Sequence, residues 1–189
     1  MKTIIENKNF KEKDFSKYDF SNQSYLDSFF ENCDFSNSNF SNAKFINCRF
    51  FRSNFSLVIL SRTRLQNCFF EESKLIGIHF FKCDKFLLSI NFKKCLIDIC
   101  NFSDIDLKKS SFFESTLRRC DFKNSILIET DFRKTDLSST SFHHSNLSKA
   151  NFLDAINYSI DPLTNKLEKA EFSKPEVYSL LNFLDIIIE

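Results

Sequence analysis

The chain has 189 residues, 42% apolar and 27% charged, which fits one domain of ordinary size in water. It holds one Gly, two Pro, no Trp and 26 Phe, and a single Gly excludes Gly-rich phosphate loops outright. Residues 1–160 carry 23 Lys+Arg against 19 Asp+Glu, and residues 161–189 carry 3 against 6, so neither direct nucleic-acid binding nor repulsion from it is expected. Scarce Gly also argues against a fold full of tight primed turns, which want Gly. No apolar run reaches eighteen residues, so no transmembrane helix and no membrane partner are expected. Met1–Lys8 lacks the apolar core of a secretory signal, which makes the cytoplasm the expected compartment.

Phe10, Phe15 and Phe20 open a series of large apolar residues spaced by five. It passes through Tyr25 and reaches Phe80, breaks at Lys85, and resumes two residues out of step from Leu87 to Phe152. The series has 29 centres and absorbs 18 of the 26 Phe. Two residues before each centre stands a small residue, as at Cys33, Ser38, Ala43, Cys48, Cys120 and Ala150. Lys8, Lys13, Tyr18 and Gln23 violate that rule, which predicts a loose first coil. A period of five suits neither a helix at 3.6 nor a strand at 2. It requires a backbone that turns once per repeat, with one large and one small residue inside and three positions in water.

Cys33-Asp34-Phe35-Ser36-Asn37, Cys120-Asp121-Phe122-Lys123-Asn124 and Thr130-Asp131-Phe132-Arg133-Lys134 closely resemble the A(D/N)LXX pattern of pentapeptide-repeat proteins. The resemblance covers about residues 8–154. It implies an all-β fold: a right-handed quadrilateral β-helix with four repeats per coil, roughly seven coils and roughly 35 Å long at ~4.8 Å per coil. Residues 1–159 would form the β-helix and 160–189 a capping and dimerisation segment with a short helix. One face then carries only Phe, from Phe10 to Phe152.

The slip over residues 81–86 reads as a two-residue bulge at one corner. Its Lys82, Asp84, Lys85 and Phe86 are either a partner-contacting loop or a tolerated insertion. Phe29, Phe51, Phe69 and Phe113 flank centres on the all-Phe face, should point outward, and are candidates for a partner surface. The seven Cys fall in the small inward column, as Cys83 does if the first register runs one repeat further. With no C-x-x-C spacing, they read as reduced core residues and not as metal ligands. His79, His143 and His144 take outward positions, none has a Ser or Cys partner at motif spacing, and nothing resembles a catalytic triad. No enzyme, cofactor or metal site is expected. The basic pairs Lys93/Lys94, Lys108/Lys109, Arg118/Arg119 and Arg133/Lys134 are interleaved with acids, which suits a solvated surface better than a phosphate stripe.

The pattern ends near Asn157. Ala170–Phe172 suits a short strand, and Pro175-Glu176 opens a helix whose Val177, Leu180, Leu181 and Leu184 form an i, i+3, i+4, i+7 stripe. Ile186, Ile187 and Ile188 form a terminal strand-like run. The tail Asp-Pro-x-x-Asn-x-Leu, Phe-Ser-x-Pro-Glu, Leu-Asp-Ile-Ile-Ile-Glu is similar to that of Qnr-type quinolone-resistance and microcin-immunity proteins. That resemblance implies a homodimer joined through Val177, Leu180, Leu181, Leu184 and Ile186–Ile188. It also implies binding to DNA gyrase or topoisomerase IV, and protection of that enzyme from poisons. The alternative is an interaction module with another protein partner. Members argued to mimic DNA are acidic, and the basic excess over residues 1–160 departs from them.

Overall fold

A computed structural model describes residues 4–187. Ile188, expected in the dimer contact, lies outside them. The five-residue period becomes one short stretch of extended chain followed by one turn. Inward residues twenty apart meet on successive coils, as Phe10, Phe30 and Phe50 do in parallel pairs. Asn9–Lys11, Phe29–Glu31, Arg49–Phe51, Cys68–Glu71 and Ile90–Lys93 build one sheet, called the Phe10 face. Ile4–Glu6, Ser24–Leu26, Lys44–Ile46 and Arg64–Gln66 build the Tyr25 face. Lys74–Ile76, Leu96–Asp98 and Thr116–Arg118 lie on the Phe15 face. Single bridges such as Asp19↔Asn39 and His79↔Asn101 make the Phe20 face. The result is a four-sided parallel β-helix.

The turns sit two residues after most centres, and among the described residues thirty non-Gly residues have positive φ. These are single left-handed residues at the corners, not primed hairpin turns, so they do not require Gly. A left-handed residue costs roughly 1–2 kcal/mol, but here its N–H is bonded to the next coil. Asn7 N–H donates to the Leu26 carbonyl at 3.1 Å, Glu12 to Glu31 at 2.9 Å and Lys17 to Ser36 at 2.8 Å. Nine of the thirty are Asn, which tolerates this conformation best after Gly.

Inside, nine Phe rings from Phe10 to Phe172 stack face to face, as Phe92–Phe112 at 5.0 Å and Phe112–Phe132 at 5.1 Å show. A second stack runs from Phe80 through Phe102 and Phe122 to Phe142. The two stacks meet edge to face, with Phe102–Phe112 and Phe112–Phe122 both at 5.6 Å and near right angles. That arrangement satisfies the ring quadrupoles while filling the interior. The small column lines the corners, where hydroxyls and thiols donate to backbone carbonyls of the previous coil. Ser125 Oγ reaches the Phe102 carbonyl at 2.6 Å, and Cys48 Sγ reaches Tyr25 at 3.5 Å. Phe10 and Phe15 are only half-buried, in keeping with a loose first coil.

Five details differ from the sequence reading. Leu87, expected inward, is an exposed left-handed turn residue, and Leu88 packs on the core instead. The first register persists through buried Cys83, so the irregular stretch runs later than residues 81–86: Asp84 N still pairs with Thr63, and only Ser89 and Ile90 take the new step. The ladder does not end near Asn157. Ser159–Ile160 pairs with Ser141–Phe142, and Glu171–Phe172 with Asn151–Phe152. Buried Tyr158 fills the inward place there, packed on Phe152 and Phe172. Glu176–Phe183 is a 3-10 helix, not an α-helix. At three residues per turn it aligns Val177 with Leu180 and Phe183 and leaves Leu181 off that ridge, while Leu184 stands just past the helix end in extended chain, so the expected single stripe is broken. Ile186 and Ile187 follow it as exposed chain outside any strand.

Candidate interaction surfaces

On the outside of the Phe10 face the parallel register sets Phe29, Arg49 and Phe69 in one column. Glu31, Phe51 and Glu71 form the next. A shallow hollow of about 280 Å³ lies among Phe29, Arg49, Phe51, Phe69 and Glu71. Phe29, Phe51 and Phe69 are half-buried and close together, and the Arg52 guanidinium covers the Phe51 ring at 4.5 Å. Phe113 stands apart from them, with Arg133 and Lys134 over its ring at 5.3 and 5.7 Å. Arg49, at the centre of the hollow, was not singled out from the sequence; its place one residue before Phe50 held the signal.

The bulge is braced rather than loose. Arg64 on the preceding coil donates two hydrogen bonds to Asp84 and lies 5.2 Å from the Phe86 ring centre. This pairing holds the Asp84 carboxyl below its ordinary pKa. Asp84 also accepts the Phe86 N–H at 3.0 Å, and Lys85 Nζ donates to the Asp104 carbonyl at 2.7 Å. Lys82, Lys85 and Phe86 are exposed. Lys85, Leu87, Leu88, Asp106, Lys108 and Lys109 line a surface hollow of about 450 Å³ beside them.

At the far end the 3-10 helix packs against Ser159–Ile160, and Leu180 rests on the core. Glu176 ties it down by accepting the Asn157 N–H at 2.6 Å. Val177 and Leu181 are half-buried, whereas Leu184, Ile186 and Ile187 are exposed together with Tyr178 and Phe183. This end therefore exposes several large apolar side chains among the described residues.

Elsewhere the side chains stabilise the coil. Among the described residues every member of the four basic pairs except Lys108 has a carboxylate within 4 Å, Lys93–Glu71 and Arg133–Asp131 among them. All seven Cys are buried. Burial pushes the Cys48 thiol up to about 11 and the Cys95 and Cys100 thiols up to about 12. The three His are exposed. Among the described residues no three His, Cys, Asp or Glu side chains converge as metal ligands, and no helix is long and apolar enough to cross a membrane.

These features define a repeat solenoid, a stiff rod whose potential for recognition lies on its faces, one corner bulge and its ends. The chain is a pentapeptide-repeat protein: the family model for pentapeptide repeats matches in eight copies, with residues 14–50, 100–137 and 115–152 matched. Among solved structures it is similar to a trypsin-treated variant of QnrB1, a plasmid-mediated fluoroquinolone resistance protein. That match has 17% identity and a TM-score of 0.56, and covers 98% of this chain and 100% of that one. It is also similar to HetL of the cyanobacterium Nostoc sp. strain PCC 7120, a pentapeptide-repeat protein involved in heterocyst differentiation regulation. There the identity is 17% and the TM-score 0.59, covering 88% of this chain and 84% of HetL. At this identity the likeness concerns the fold. No curated protein matches the chain.

Proposed function

We propose that the chain is a non-catalytic binding protein that acts as a homodimer on a type II topoisomerase, DNA gyrase or topoisomerase IV. In this reading it shields that enzyme from quinolone-like or microcin-like poisons. The observation that carries the reading is the apolar C-terminal end, where Leu184, Ile186 and Ile187 stand exposed just after a helix anchored to the last coils. Two rods joined there would present a long rigid surface, and a preorganised surface loses little ordering entropy on binding. The interleaved ion pairs leave the rod without an acidic face, so recognition rests on shape and apolar contact rather than on imitation of DNA. The test is a gyrase supercoiling assay with and without a fluoroquinolone, titrated with the purified protein. Restored supercoiling in the presence of drug is expected. No change in either arm overturns the reading and favours the second one, an interaction module for a different protein, to which the same ion-paired surface is suited.

A further inference from the structure

The left-handed turn residues carry polar or charged side chains with four exceptions: Leu57, Gly77, Leu87 and Ile99. Three of the four are successive rungs of a single corner, between the Phe15 and Phe20 faces. Leu57 N–H donates to the Ile76 carbonyl, Gly77 to Asp98 and Ile99 to Arg118, all at 2.8–3.0 Å, so the three stand in one ladder. Leu57 and Ile99 are 55% and 50% exposed. A β-branched residue at φ 54° is a strained choice. Neither residue is needed by the coil, since Asn fills nine equivalent turns. The side chain of Leu57 lies across Gly77, where a Cβ would meet its Cδ2 at 2.8 Å, so the ridge is continuous. Ile59 and Phe81 extend it onto the Phe20 face, also exposed. Backbone strain and apolar exposure thus coincide at one place, and neither aids folding.

We propose that the Leu57–Gly77–Ile99 corner is the knob by which this rod seats in an apolar groove of its protein partner. The occupant is concave because the knob is a corner of a four-sided rod. It is apolar because the nearest charges are already neutralised: Asp98 by Arg119, and Arg118 by Asp136. Three half-exposed aliphatic side chains and one ring offer roughly 400 Å², about half of the ~800 Å² per partner of a stable interface. The corner alone therefore does not hold a second copy of the rod, and it suits a local groove on a larger partner.

The choice of probe rests on the topoisomerase reading above. The experiment compares the wild-type chain with a Leu57→Asn, Ile99→Asn double variant, by melting and by surface plasmon resonance on purified DNA gyrase. Asn relieves the backbone strain, so the variant should melt a few degrees higher while its affinity for gyrase falls about tenfold or more. A variant that binds as tightly as wild type overturns the knob and leaves the topoisomerase reading standing. A wild type that does not bind gyrase overturns both. A variant that melts lower shows that Leu57 and Ile99 serve the fold, and this too overturns the proposal.

Discussion

Phe112 is fully buried between Phe92 and Phe132, at 5.0 and 5.1 Å, and meets Phe102 and Phe122 edge-on. Phe112→Ala would remove a ring from the middle of both contacts and leave a cavity that the fixed coil spacing cannot close. A loss of about 3–5 kcal/mol is expected, read from urea unfolding. A loss below about 1 kcal/mol would contradict the stack as the source of stability. The thiols make a second test at this scale. Their folded pKa values, about 11 for Cys48 and about 12 for Cys95 and Cys100, lie above the ordinary 9.0. A group whose pKa rises on folding adds stability that is fully present below the unfolded value and fades as pH climbs through the folded one. The melting temperature should therefore fall above pH 9, and more gently in a Cys95→Ser, Cys100→Ser variant. Native protein at pH 8 should leave most of its seven thiols unreactive toward Ellman's reagent until denaturant is added.

At the scale of the element, the bulge shows how the repeat accommodates two extra residues. Deleting Asp84 and Lys85 would bring Leu87 into the inward place and restore a twenty-residue coil. The lost Arg64–Asp84 pair is partly exposed and contributes little, about 1 kcal/mol or less. The deletion variant should keep its β-type circular dichroism and melt within a few degrees of wild type. Collapse of the fold would mean that the brace, not the register, holds this corner. The C-terminal helix is the converse case. Eight residues of 3-10 helix have no stability of their own, and the element persists because Leu180 and Glu176 fasten it to the last coils.

For the whole molecule, nearly every contact joins one coil to the next, so stability is close to a sum of neighbour terms. A change at one end should then leave the other coils intact. Leu181→Asp with Leu184→Asp puts two charges at the C-terminal end of the helix, where Leu181 is half-buried and Leu184 exposed. We expect this variant to stay folded by circular dichroism, to run as a monomer by light scattering where wild type runs as a dimer, and to lose any protection of gyrase. Wild-type protein that is monomeric at tens of micromolar would reduce the helix to a cap and remove the two-rod arrangement.

The repeat was legible in the sequence because each centre faces the same environment: a five-residue step returns every fifth side chain to the interior, and that pattern determined the inward columns and the burial of the Cys, while four repeats per coil, and with them the Phe columns, followed from the resemblance to pentapeptide-repeat proteins. Other features answered to neighbours twenty residues away and could not be read from a local pattern. Turns without Gly depend on a hydrogen bond to the next coil. Leu88 displaces Leu87 because the chain takes its extra step after Lys85. Tyr158 and Phe172 prolong the core past Asn157 because the ladder tolerates a short side followed by a long turn. The grouping of Phe29, Phe51 and Phe69 around Arg49 was half visible, since the faces follow from counting by twenty while the separation of Phe113 needed the stacking itself. The apolar corner at Leu57, Gly77 and Ile99 was spaced regularly enough to be seen, yet only the tertiary structure decided that these residues are strained and exposed together, because both properties belong to the turn between coils and not to the repeat.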